Sequence, residues 1–245
     1  MTETLLALLV GHFVGDFVLQ TDRMVRIKRA PAVLVLHVVL VTAVSALLLG
    51  SLDGWVLGIL FLTHLAMDAV KVYLLPPSLA AFLTDQAVHL AVIVALALAF
   101  PATVQAGAWG SWMTAAGLQA YAQALVGALG VLLTVPVAGV VIGLLMEPLT
   151  RELEDDQSPT GGLPNGGRYI GWLERGLVLI LYLGGQGSGI GFVLATKSIL
   201  RFGEIRDSEH RKLAEFILIG TFLSFALALA GGILTEWTLG AVASS

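Results

Sequence analysis

Apolar residues dominate this chain in long blocks, separated by short polar breaks. The first block runs from Thr4 to Gln20 and stops at Thr21-Asp22-Arg23. A second covers Ala32 to Leu49, and the turn Ser51-Leu52-Asp53-Gly54 leads to a third, Trp55 to Leu74, which Pro76-Pro77 ends. A fourth runs from Thr84 to Pro101, a fifth from Tyr121 to Met146, where Glu147-Pro148 closes it, and the last from Leu213 to Leu234. Runs of about 20 apolar residues match the thickness of a bilayer core. The period-two alternation of a membrane barrel is absent from the pattern. The expected fold is therefore all-α and polytopic.

The segment 171–201 fits this scheme differently. Trp172 to Leu183 is apolar, Gly184-Gly-Gln-Gly-Ser-Gly-Ile-Gly191 interrupts it, and Phe192 to Leu200 resumes. Lys197, Arg201, Arg206, Arg211 and Lys212 follow, and cations favour the cytoplasmic side. A single span here would put them outside, so two short helices folded back at the glycines are expected. Broken backbone at that depth requires burial in protein or a wet cavity.

The same charge rule orients the chain. Arg23, Arg26, Lys28 and Arg29 crowd the loop after the first span. That loop is then cytoplasmic and the N-terminus outside, with Trp55, Trp109 and Trp112 at the outer interface. The expected organisation is a four-span unit over 1–101, an outer interfacial segment over 102–120, a fifth span over 121–146, a flexible cytoplasmic loop over 147–170, and a helical hairpin plus last span over 171–245.

Composition sharpens the class. Of 245 residues 57% are apolar and only 12% charged, half the charge of a typical soluble domain; mean hydropathy is +0.91. There is no cysteine, which excludes disulfides and thiolate ligands. The start lacks a basic n-region and a cleavage site, so the first block reads as a retained span. No basic tract suggests a nucleic-acid partner. The expected surroundings are lipid.

The chemistry lies in a duplication. His12-Phe-Val-Gly-Asp16 is followed by His37, and His64-Leu-Ala-Met-Asp68 by His89. Each interval between histidines is 25 residues, and the copies are offset by 52, so four of the five histidines obey one pattern. His12 lies about 12 Å from the cytoplasmic end of its span at 1.5 Å per residue, and the other three fall in the same half. Spacing of four residues puts His12 with Asp16, His64 with Asp68, and Asp85 with His89 on single helix faces. Facing pairs inside a bundle are how helices build metal sites. Imidazole and carboxylate together suit a divalent transition metal such as Zn, Fe or Mn. His12, Asp16, His37, His64, Asp68 and His89 are the candidate ligands, with Asp85 and Gln86 as candidate catalytic groups. The carboxylates also read as groups that orient the imidazoles. Lys71, three residues after Asp68 on the same face, reads as snorkelling to the headgroups, with neutralisation of Asp68 as the alternative.

Gly11 to Asp22, His37, His64-Leu-Ala-Met-Asp68 and Asp85-Gln86-Ala-Val-His89 together resemble the bacterial domain-of-unknown-function family 3307, over residues 8 to about 95. The resemblance implies an inner-membrane protein and no assigned activity. The histidine pattern is also loosely similar to membrane-bound metal-dependent hydrolases, although no His-Glu-x-x-His motif is present.

Gln20 at the inner mouth, and Arg175, Lys197 and Arg201 near the inner interface, are candidates for binding an anionic lipid or phosphorylated substrate; ordinary positive-inside anchoring is the alternative reading of the cations. Three functions follow from the pattern: a metal-dependent hydrolase acting at the cytoplasmic face, an ion- or proton-coupled transporter using the same cluster, and a scaffold held by a histidine–aspartate network. Ionisable residues crowd the inner half and leave the outer half nearly bare, which favours a one-sided site. An oligomer is compatible with all three.

Overall fold

The structure, a computed structural model, describes residues 1–154, 165–202 and 211–244, and among these there is no strand. The helices are α1 (Thr2–Val14), α2 (Asp22–Ile27), α3 (Pro31–Leu49), α4 (Gly54–Leu74), α5 (Leu79–Ala99), α6 (Thr103–Ala106), α7 (Ala108–Trp112), α8 (Ala115–Leu132), α9 (Ala138–Glu154), α10 (Gly166–Leu183), α11 (Gly187–Phe202) and α12 (Arg211–Ala243). Six helical stretches are long and apolar enough to cross a membrane: Thr2–Leu19, Pro31–Leu49, Gly54–Leu74, Leu79–Ala99, Ala115–Glu152 and Lys212–Ala243. The chain is a polytopic helical membrane protein.

Local chemistry sets the helix ends. The Thr21 hydroxyl accepts from Met24 N–H at 3.3 Å and starts α2. Pro31 opens α3, where its missing N–H costs nothing. Gly50 ends α3 in a left-handed conformation, φ +61°. Asp53 caps α4 and Ser78 caps α5 through their side-chain oxygens.

The protein divides into two compact units. The first comprises Met1–Leu132 and the end of the chain from Trp237; the second comprises Leu133–Glu236.

In the first unit α1 and α4 each pack against both α3 and α5, closing a four-helix ring, and α8 lies on α1. The closest approach is between α1 and α3. A Cβ on Gly11 would stand 2.5 Å from Ser45 Oγ, and one on Gly15 2.4 Å from Val41 Cγ2. Small residues four apart are how membrane helices come this near. Residues 101–112 cover the end of the ring farthest from the basic loop. Thr4 Oγ1 donates to Pro101 O at 3.1 Å, and Trp109 Nε1 reaches the Leu47 and Leu48 carbonyls, both at 3.1 Å. The interfacial segment expected over 102–120 is thus α6 and α7, followed by the first turn of α8.

In the second unit a π-helical turn, Leu133–Val137, contains Pro136 and leads into α9. Proline removes an N–H from the helical ladder. The buried Arg175 guanidinium donates to the Thr134 carbonyl at 3.0 Å and the Val135 carbonyl at 2.9 Å beside it. The folded-back pair expected around the glycines is present. Helices α10 and α11 join through Gly184–Gln186, with Gly185 at φ +69°. Lys197 Nζ pairs with Glu174 at 2.6 Å, and Gly189 lies against Leu181, as an antiparallel hairpin requires. Val178, Phe225 and Ala228 form the core on which α11 rests through Ile190, Val193 and Leu194.

Some boundaries differ from the expectation. Glu147-Pro148 does not end the fifth span, because α9 continues to Glu154. The Arg151–Glu147 pair and the Thr150 hydroxyl on the Met146 carbonyl hold its last turns together. Helix α10 begins at Gly166, so the expected loop of 147–170 shrinks to the interval between the two helices, and its residues 155–164 lie outside the described residues. Helix α12 runs past Leu234 to Ala243. Arg206 and His210 also lie outside the described residues.

Candidate metal centre

The four duplicated histidines meet inside the ring of the first unit. His12, His37, His64 and His89 are buried, as are Asp68 and Asp85. Each helix of the ring contributes one histidine. The ring centroids of His64 and His89 stack 4.0 Å apart at 18°; those of His12 and His89 are 5.1 Å apart, and those of His37 and His64 5.4 Å.

Asp16 is aimed by an irregularity. Helix α1 widens into a π-helical turn over Gly15–Leu19, and Gln20 N–H closes it by donating to Gly15 O at 3.1 Å. Such insertions are frequent at functional sites because they redirect one side chain without breaking the helix. Gly15, bare of a side chain, lets this turn lie on α3.

Two groups of donors result, with Asp16 in both. In the first, His37 Nε2 and His64 Nε2 face each other at 3.3 Å. Asp16 Oδ1 lies 3.3 Å from His37 Nε2 and 3.4 Å from His64 Nε2. Asp68 Oδ2 lies 3.4 Å and 3.7 Å from the same two atoms. Both oxygens are buried among these imidazoles. A regular tetrahedron with metal–ligand bonds of about 2.1 Å has edges of about 3.4 Å. The five measured edges bracket that value. Lys28 Nζ sits against Asp68, 3.0 Å from Oδ1 and 2.9 Å from Oδ2, and donates its hydrogen bond to Oδ1.

In the second group, His89 Nε2 stands 3.2 Å from Asp85 Oδ1 as a buried ion pair. Asp85 Oδ2 is held by Lys71 Nζ at 2.5 Å. Gln86 ties the groups together. Its amide nitrogen donates to Asp85 Oδ2 at 3.0 Å and to Asp16 Oδ2 at 3.3 Å. Two carboxylate oxygens on one side require the NH2 there, since an amide oxygen would be repelled. Gln86 Oε1 must then accept from His12 Nε2, 3.2 Å away. That fixes the His12 proton on Nε2 and leaves Nδ1, 3.9 Å from Asp16 Oδ2, with a free lone pair. Triads of donor atoms within 4.8 Å of one another are His12–Asp16–His64, His37–His64–Asp68 and Asp16–Asp85–His89.

The six candidate ligands and both candidate catalytic groups are therefore together. Gln20 ends the π-helical turn, its amide nitrogen buried and unpartnered. Arg175 and Lys197 belong to the second unit, where Arg175 serves the Thr134 and Val135 carbonyls and Lys197 serves Glu174. The side chain of Arg201 lies outside the described residues.

Two lysines were misplaced by sequence reasoning. Lys28 is not a loop cation in solvent but a buried partner of Asp68. Lys71 does not snorkel away; it reaches across to Asp85. The signal was arithmetic: three carboxylates within an apolar ring need cations in reach, and these are the lysines adjoining it.

Fold and cluster define a polytopic membrane protein with a buried histidine–aspartate centre. Residues 4–116 match the family model described as "Protein of unknown function (DUF3307)", and this part of the chain is a domain of that family. The match spans the four-helix ring and the short helices that cover its end. No curated protein and no solved structure matches the chain at a significant level.

Proposed function

We propose that the protein is a metal-binding protein of the bacterial inner membrane, N-terminus outside, and that it hydrolyses an amphiphilic, phosphate-bearing substrate at the cytoplasmic face. The observation that carries the metal is the first donor group: two imidazole nitrogens and two carboxylate oxygens from three helices, spaced by 3.3–3.7 Å. Zn, Fe or Mn suits such donors. A divalent ion there supplies the Lewis acidity that makes water a nucleophile near neutral pH. The orientation rests on the basic loop that carries Lys28, and the cluster occupies the half of the ring near it.

The chain's own groups fit the remaining tasks. Asp85, paired with His89, is the further carboxylate beside the first donor group, and Gln86 holds the Asp85 and Asp16 carboxylates in a fixed relation. Lys71 is the more exposed of the two lysines, at 31% against 11%.

The test is elemental analysis of the purified full chain in detergent, beside a His37→Ala/His64→Ala double variant. The expected result is one tightly held transition-metal ion per chain, absent from the variant while its helical signal and elution volume are kept. A metal-free wild type, even after reconstitution with Zn, Fe and Mn, would sink the reading.

A second reading draws on the lysine pairs. Lys28 and Lys71 already neutralise Asp68 and Asp85, so the cluster can move a proton or a small cation without a resident metal. It makes the protein an ion- or proton-coupled transporter. Metal-free protein that carries protons across liposome membranes, with loss of flux in Asp16→Asn, would decide for it.

A further inference from the structure

The first donor group leaves much of the cluster unused. Asp85 Oδ1 and His89 Nε2 are buried 3.2 Å apart and face each other. They pair with each other alone, and their separation lies just below the 3.3–3.7 Å found within the first group. Asp16 turns Oδ1 toward His37 and His64, and Oδ2 toward Gln86 and His12. One carboxylate thus offers an oxygen to each side. His12 adds a lone pair at Nδ1, facing Asp16 Oδ2.

We propose that the cluster holds two divalent ions, the second on Asp85 and His89 with Asp16 shared between them, and that the second ion enters together with a phosphate group. The proposal rests on the metal reading above and gives its substrate class a physical reason.

The coupling to phosphate follows from charge. Asp16, Asp68 and Asp85 against Lys28 and Lys71 leave a net charge of about −1 with neutral imidazoles. One divalent ion brings the cluster to about +1. A second alone would bring it to about +3 in a buried site, where like charges repel strongly. A phosphate dianion returns it to about +1, the value already accepted with a single ion. A carboxylate, with one charge, restores only half of this. Asp85 must also release Lys71 to serve the second ion. Lys71 is the partly exposed lysine, so it can swing aside, whereas Lys28 is enclosed with Asp68. Once free of Asp85, its ammonium is available to the same phosphate. Paired ions bridged by a carboxylate clamp both oxygens of a phosphoryl transfer.

Manganese(II) titration of the metal-free full chain in detergent tests this, with bound ion counted by elemental analysis and coupling read by electron paramagnetic resonance. Each titration is run without anion, with inorganic phosphate and with acetate. The expected wild-type result is one ion per chain without anion or with acetate, and two with phosphate, with the exchange-coupled signal appearing only then. Asp85→Asn and His89→Gln should each stay at one ion under every condition. Because the wild type alone supplies the main comparison, an unfolded variant does not spoil it. One ion in wild type with and without phosphate overturns the second site and leaves the first intact. Two ions without phosphate overturn the charge coupling. No bound manganese at all overturns the two-ion proposal, and the metal reading itself falls if zinc and iron also fail to bind.

Discussion

The two copies of the duplicated hairpin share a skeleton and differ in what they bury. His12, Asp16 and His37 of the first correspond to His64, Asp68 and His89 of the second, 52 residues on. In a strict repeat His37 would relate to His64 as His89 relates to His12, and the ring pairs obey this, at 5.4 Å and 5.1 Å. The surrounding residues do not. Val33, Leu34 and Leu19 of the first copy stand where the second has Asp85, Gln86 and Lys71. Lys28 of the first faces Ala80 in the second. The repeat thus supplies a symmetric set of histidines, and the second copy carries a carboxylate, a lysine and an amide where the first has apolar residues. The two ends of the cluster are therefore not equivalent. The difference teaches that the symmetric residues build the centre and the asymmetric ones give it a direction.

The largest expected effect tests this division at its shared member. Asp16 has no lysine and serves both groups; Asp68 serves one and is already paired with Lys28. Asp16→Asn should lower metal affinity by more than the roughly 100-fold that loss of an outer-shell partner brings, to below detection. Asp68→Asn should leave measurable binding. Equal losses, measured by titration with a competing chelator, would mean that the copies remain equivalent.

Next comes the pair of lysines. Lys28→Met leaves Asp68 charged and enclosed, which costs on the order of 3–5 kcal/mol. Lys71→Met leaves Asp85 equally buried but still paired with His89 at 3.2 Å, so its cost should be the smaller of the two. Thermal unfolding in detergent should separate the two variants clearly, and Lys28→Met/Asp68→Asn should recover most of the loss. If Lys71→Met proves the more damaging, then the second copy is the enclosed one.

The sequence was most legible where a period or a charge rule applied. The repeat itself located His12, His37, His64 and His89, and their spacing placed the carboxylates on matching faces. The glycine run 184–191 told that α10 and α11 fold back. What stayed hidden depended on geometry without a sequence period. Asp16 lies in a π-helical turn, Gly15–Leu19, and no residue there announces it. Lys28 sits among loop cations in sequence but lies beside α4 in space. Pro148 looked like a stop, yet a proline in the last turns leaves only one carbonyl without its donor, and α9 continues.

A smaller effect concerns how closely the hairpins close. Gly11 and Gly15 bring α1 onto α3, while the second copy has Thr63 and Met67 at those places. Gly15→Ala would press its Cβ to 2.4 Å from Val41 Cγ2 and 3.1 Å from Val41 Cα. Overpacking of this kind costs about 1–3 kcal/mol. Adding Val41→Ala removes the first clash and not the second, so the double variant should recover part of the stability. It should also restore part of the metal affinity, since the same contact seats the turn that carries Asp16. Metal affinity unchanged in Gly15→Ala, with stability reduced, would detach the helix contact from the centre.

The smallest effect lies at the entrances to the two copies. Helix α1 begins at Met1 without a side-chain cap. Helix α4 begins at Asp53, whose Oδ1 accepts from Trp55 N–H at 2.9 Å and Val56 N–H at 3.2 Å. The negative side chain also meets the positive end of the helix dipole. Asp53→Ala should therefore cost about 1 kcal/mol, and Asp53→Asn less than half of that, because asparagine still offers an oxygen. Neither should alter metal binding, as α4 holds His64 and Asp68 in its second half, about 10 residues or 15 Å along the axis. The useful measurement is the pair of readouts together: unfolding temperature and ion affinity on the same samples. A shift in affinity with Asp53→Ala would mean that α4 slides as a rigid rod on its neighbours. Stability lost alone would mean that the four-helix packing around the histidines, and not the helix end, sets where the second copy places its ligands.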